Sequence, residues 1–114
     1  MKPELGDKQR LLHILEAIVN IENFLSGFDQ NGFQNSKLHI SAIERQLEII
    51  GEAANAVSEG LRQKYPLVEW QPIRRFRNVI VHEYFGVSVQ ILWGVVHREL
   101  PILKSQVELI LQEI

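Results

Sequence analysis

Residues 36–57, SKLHISAIERQLEIIGEAANAV, decide how the rest of the chain is read. Leu38, Ala42, Ile43, Leu47, Ile50, Ala54 and Val57 recur at the three-and-four spacing of one helix face, so the stretch predicts a long amphipathic helix from about Ser36 to Val57. Gly51 interrupts it, where glycine costs about 0.5–1 kcal/mol relative to alanine. Close approach of another helix, or of a partner chain, would justify that cost. The small residues Ala53, Ala54 and Ala56 point the same way. Glu44, Glu48 and Glu52 form an acidic stripe on this helix, read as solvated charge or as partners for Arg74 and Arg75 rather than as metal ligands.

Working outward, a first helix is expected from about Asp7 to Leu25. Leu11, Leu12, Leu15, Ile18, Val19 and Leu25 form its apolar face and Asp7 its N-cap. FDQNGFQNS (28–36) is a loop by composition. After the long helix, SEGLRQKYPLVEWQP reads as a connection punctuated by Pro66 and Pro72. Pro72 suits the first turn of a third helix, to about Tyr84, which stops by Gly86. Ser88 then caps a fourth, with Ile91, Leu92, Val95, Val96, Leu103, Val107, Ile110 and Leu111 as its apolar face. Pro101 lies inside that pattern and should kink or divide it. No stretch reads convincingly as a strand. Short connections between amphipathic helices favour antiparallel neighbours, so the expected fold is all-α, an up-and-down bundle of four to five helices.

With 114 residues and 46% of them hydrophobic, the chain has the size and core of one domain, taken as 1–114. Its net charge of −2 is not that of a nonspecific nucleic-acid binder, so any attraction for phosphate must be local. Arg74, Arg75 and Arg77 supply it, with no acidic residue between Gln71 and His82. The absence of cysteine excludes disulfides, thiolate metal sites and cysteine nucleophiles. There is no secretory signal and no apolar run of membrane-spanning length, so a soluble, cytoplasmic protein is expected, with no membrane partner.

RNVIVHEY (77–84) gathers a guanidinium, a carboxamide, an imidazole and a phenol within eight positions. Metal-free RNA cleavage needs a base for the 2′-OH proton, an acid for the 5′-O leaving group and positive charge on the phosphorane. His82 suits either proton-transfer role and Arg77 the charge role, with Asn78 to orient them. On an ideal helix Asn78 and His82 share one face and Arg77 and Tyr84 another, whereas Arg77 and His82 sit roughly 140° apart. That mismatch, and the single histidine in the stretch, both favour a site shared across a two-fold homodimer. The plainer alternative is a solvated arginine and a histidine at a helix C-terminus, where a cation is favoured. His13, His39 and His97 have no polar cluster around them in sequence, and Trp70 and Trp93 read as core or interface anchors.

LEIIGEAANAVS (47–58), YPLVEW (65–70), IRRFRNVIVHEYFGV (73–87) and LWGVV followed by LP in the last helix form an ordered set over nearly the whole chain. In this order the chain resembles the HepT-like branch of the HEPN superfamily, small all-helical proteins of which many are metal-independent ribonucleases. The Arg-x4-His-x-Tyr signature falls on Arg77, His82 and Tyr84, with Asn78 after the arginine as is usual there. Phe76 stands where the family often has methionine, and Ser88 where it often has aspartate. The resemblance implies an RNA-cutting toxin of a type VII toxin–antitoxin pair, with tRNA as a class of target and no cofactor or metal. Arg77 and His82 would be catalytic, Asn78 and Arg74 supporting, in a composite cleft of a homodimer. It also implies a minimal nucleotidyltransferase antitoxin that silences the toxin by transferring AMP onto Tyr84. A different class stays open: a non-catalytic partner and modification substrate of that transferase, which the net charge of −2 suits somewhat better.

Overall fold

The computed structural model describes the backbone of residues 3–78 and 86–114, and the side chains of 6–78 and 89–114. All regular elements among these residues are helical, as expected from four segments with helical spacing and none that reads as a strand. The long helix is α3, Lys37–Ala56; Ser36 caps it by accepting from the His39 N–H. α1 (Pro3–Phe24) lies along α3 and also packs on α7 (Leu100–Glu113). Leu11, Ile14, Ile18 and Ile21 from α1 meet Ile43, Leu47, Ile50 and Ala54 from α3, and Leu100, Leu103, Val107 and Ile110 from α7. Full burial of each large aliphatic side chain stabilises by about 1.5–3 kcal/mol.

Three apolar faces differ from the expected ones. Contact of α1 with both α3 and α7 selects Ile14, Ala17 and Ile21 for the core while leaving Leu12 and Val19 partly in solvent. Leu38, in the first turn of α3, and Ile91 are mostly exposed.

Asp7 is not the cap of α1. It lies in the second turn of that helix, buried, and both its oxygens are engaged by Ser58: Oδ1 by the backbone N–H at 2.8 Å and Oδ2 by the hydroxyl at 2.6 Å. Ser58 Oγ in turn accepts from the Leu61 N–H and caps α4 (Glu59–Lys64). The segment after α1 is likewise more ordered than its composition suggests. Gly27, at φ 81°, turns the chain, and Asp29 caps a short α2 (Gln30–Gln34) that drives Phe33 wholly into the core.

The linker ends where Trp70 is buried and its indole N–H donates to the Tyr65 carbonyl at 3.0 Å. α5 (Trp70–Arg74) starts there, with Pro72 in its first turn as expected. It does not run on as an α-helix: residues Arg75–Asn78 tighten into a 3-10 turn. The remainder of the expected third helix, 79–84, lies outside the described residues. α6 runs Gly86–Gly94, starting ahead of Ser88. A π-turn at Val95–Glu99 joins it to α7, with the Leu100 N–H bonded to the Val95 carbonyl. Pro101 has no N–H for the preceding turn, so the division expected from that proline falls directly before it. No helix among the described residues is long and apolar enough to cross a membrane.

Candidate functional site

α5 and the 3-10 turn lie against α3 and carry the arginines. Ile73 is buried and holds α5 to the core. Arg74 is half-buried, and its guanidinium does not reach the glutamate stripe of α3. Its Nε donates to Asn55 Oδ1 at 3.0 Å and its Nη1 to Gln71 Oε1 at 2.8 Å. Arg75, Arg77 and Asn78 are exposed, and neither the Arg75 nor the Arg77 side chain has a hydrogen-bond or ion-pair partner among the described residues. Of the three clustered guanidinium groups, one is tied into the fold and two face solvent.

Gly51 makes this placement possible. A Cβ there would lie 2.2 Å from the Arg77 nitrogen, 2.8 Å from the Phe76 carbonyl carbon and 3.0 Å from the Arg77 Cα. The close approach inferred from the glycine is therefore made by the 3-10 turn of this same chain. Arg74 opposite Asn55 and Arg77 opposite Gly51 set the segment antiparallel to α3. Asn55 carries no signal in the sequence, because an exposed asparagine near a helix end is unremarkable until its partner is known.

Asn78 closes the 3-10 turn, whereas His82 and Tyr84 lie outside the described residues. The 100°-per-residue wheel used to separate Arg77 from His82 does not hold at its starting point. A 3-10 turn has about 3.0 residues per turn.

The other histidines are satisfied locally, as their surroundings in sequence suggest. His13 bonds Gln9 at 3.1 Å, and His39 bonds Ser36 at 2.7 Å and packs on Phe28. His97 bonds the Trp93 carbonyl at 2.9 Å and packs on the Trp93 ring. Trp93 also packs against Phe33, and Trp70 is core.

A family model described as ribonuclease HepT-like matches residues 14–110. The chain belongs to the ribonuclease HepT-like family. An inferred RNase of Methanocaldococcus jannaschii is 37% identical over 103 residues, spanning 90% of this chain and 94% of that protein. A protein named probable ribonuclease HepT, from Thermococcus cleftensis, is 37% identical over 101 residues, with 89% and 92% covered. An inferred RNase of Caldanaerobacter subterraneus is 36% identical over 103 residues, with 90% and 92% covered. No solved structure matches the chain. The HepT-like match spans α3, α5, the arginine turn and the whole RNVIVHEY stretch, so the candidate residues all fall within the family region.

Proposed function

We propose that this HepT-like chain is a metal-independent endoribonuclease toxin of a toxin–antitoxin pair, acting on tRNA in the cytoplasm as a single-domain subunit of a homodimer. The observation that carries the reading is Arg77: an exposed guanidinium with no described partner, at the head of an Arg-x4-His motif, on a turn packed against α3.

The chemistry follows from the residue types. A His82 imidazole takes the 2′-OH proton, and the 2′ oxygen attacks the adjacent phosphorus. The bond to the 5′ oxygen breaks, and that oxygen leaves with a proton from the His82 imidazolium of the partner copy. The products are a 2′,3′-cyclic phosphate and a 5′-hydroxyl. Arg77 neutralises the charge that builds on the phosphorane, and its fork of donors matches two phosphate oxygens. Asn78 orients the reacting groups. Arg74 supports them through Asn55 and Gln71, mooring the turn.

Silencing is assigned to Tyr84, whose phenol oxygen receives AMP from a nucleotidyltransferase antitoxin. Each transfer adds bulk and negative charge to the motif that holds Arg77, which repels RNA phosphate.

Purified protein incubated with bulk tRNA and a chelator tests the enzyme. Cyclic-phosphate ends are expected, and they should vanish with His82→Ala and with Arg77→Ala. Cleavage by His82→Ala at the parent rate would sink the assignment. A second reading, a non-catalytic partner of the transferase, is favoured by the net charge of −2. It predicts no cyclic-phosphate ends from the parent protein, with AMP still added to Tyr84.

A further inference from the structure

Gly51 is buried inside a regular helix, and among the described residues the glycine with positive φ is Gly27. Its backbone geometry therefore suits any residue, and alanine would favour the helix more. What forbids a side chain is space. The atoms that a Cβ would strike belong to the backbone of Phe76 and Arg77, so no rotamer change relieves the clash. Restoring ordinary contact from 2.2 Å moves the turn by about 1 Å or more. Among the described residues no bond of the Arg77 side chain adds to this backbone contact. Asn55, one turn along α3 from Gly51, holds the same segment through Arg74.

We propose that Gly51 is a positioning residue for RNA cleavage: its bare Cα is the seat that sets where the Arg77 guanidinium meets phosphate. The proposal rests on the ribonuclease reading above and adds the device that holds the charge in register. A displacement on the order of 1 Å at a reacting centre lowers turnover by up to about a hundredfold. Gly51→Ala should therefore lose roughly ten- to a hundredfold in single-turnover cleavage of bulk tRNA, with its amide signal changes centred on residues 75–78. Gly60→Ala is the control, since nothing lies within 4 Å of that position.

A double-mutant cycle separates positioning from general destabilisation. If Gly51 acts through Arg77, adding Gly51→Ala to Arg77→Ala costs nothing further. Asn55→Ala loosens the same turn from an exposed position that leaves the core intact. It should lose several-fold alone and nothing further on Arg77→Ala, and it keeps the test decisive if Gly51→Ala folds poorly. Full activity in a folded Gly51→Ala protein would overturn the proposal while leaving the ribonuclease reading in place. So would losses from Gly51→Ala or Asn55→Ala that add to that of Arg77→Ala. Full activity in Arg77→Ala would instead overturn the reading on which the proposal stands.

Discussion

Asp7 and Ser58 are 51 positions apart and share two hydrogen bonds, one to the Ser58 backbone and one to its hydroxyl. The carboxylate is buried in α1, and its partner begins α4, so this pair ties the start of the chain to the turn that follows α3. Hydrogen bonds to a charged group stabilise by about 1.5–3 kcal/mol, and an orphaned buried partner adds to the loss. Asp7→Ala should lower unfolding free energy by about 2–3 kcal/mol in urea titrations. Asp7→Asn should lose less, because it retains an acceptor. A change below about 0.5 kcal/mol for Asp7→Ala would show that the pair is dispensable.

Phe33 enters the core from a stretch whose composition reads as loop. Its ring is fully buried beside Trp93, at 5.4 Å between centroids. Removing it leaves a cavity as well as losing transfer free energy, so Phe33→Ala should destabilise by about 3–5 kcal/mol. Chemical denaturation measures this, and the tryptophan fluorescence of the folded state should shift with it.

Arg74 and Arg77 are three residues apart and should separate cleanly by mutation. Arg77→Ala removes an exposed side chain with no partner among the described residues and should leave stability within about 0.5 kcal/mol. Its tRNA cleavage should fall by about 10²–10³-fold, as loss of a charge-stabilising donor does elsewhere. Arg74→Ala removes bonds to Asn55 and Gln71, so a stability loss of about 0.5–1.5 kcal/mol is expected with a smaller loss of cleavage. Equal effects of the two variants on both readouts would contradict this division.

Tyr65 donates its hydroxyl proton to Glu113 Oε1 at 2.6 Å. That bond, with burial and the negative charge of Glu113 adding to it, holds the phenol above its ordinary pKa of 10.0. A raised folded-state pKa favours the protonated fold. The contact's stability is fully present below the ordinary value and is lost as pH rises through the folded-state one. Tyr84→Phe leaves Tyr65 as the one tyrosine of two, so ultraviolet titration reads it alone. The midpoint should lie above that of free tyrosine and fall on Glu113→Gln.

AMP transfer is tested by mass. Co-expression with a nucleotidyltransferase antitoxin should add AMP-sized increments that Tyr84→Phe abolishes, while Tyr65→Phe retains them. Increments that persist in Tyr84→Phe would move the off-switch elsewhere.

The apolar repeat of residues 36–57 predicts the extent of α3 to within a residue, and helical spacing in four segments with no strand signal predicts an all-α fold. Helical periodicity is a local property, written every three or four positions. The same locality makes Gly51 legible as a cost and the Arg-x4-His spacing legible as chemistry. Which neighbour claimed each local feature was not legible. Nothing near Asp7 points to Ser58, nothing near Phe33 distinguishes a core anchor from a loop residue, and nothing near Asn55 points to Arg74. The wheel drawn through Arg77 also assumed one uniform helix, whereas packing of its backbone against Gly51 accompanies a 3-10 turn there. By itself, then, the sequence determined the helical class, the main core helix and the reactive residue types. Only the tertiary structure decided which face of α1 is buried, what closes on Gly51 and which arginine of the three is tied into the fold. Those choices depend on contacts between segments distant in the chain, where excluded volume and hydrogen-bond partners act and local periodicity does not.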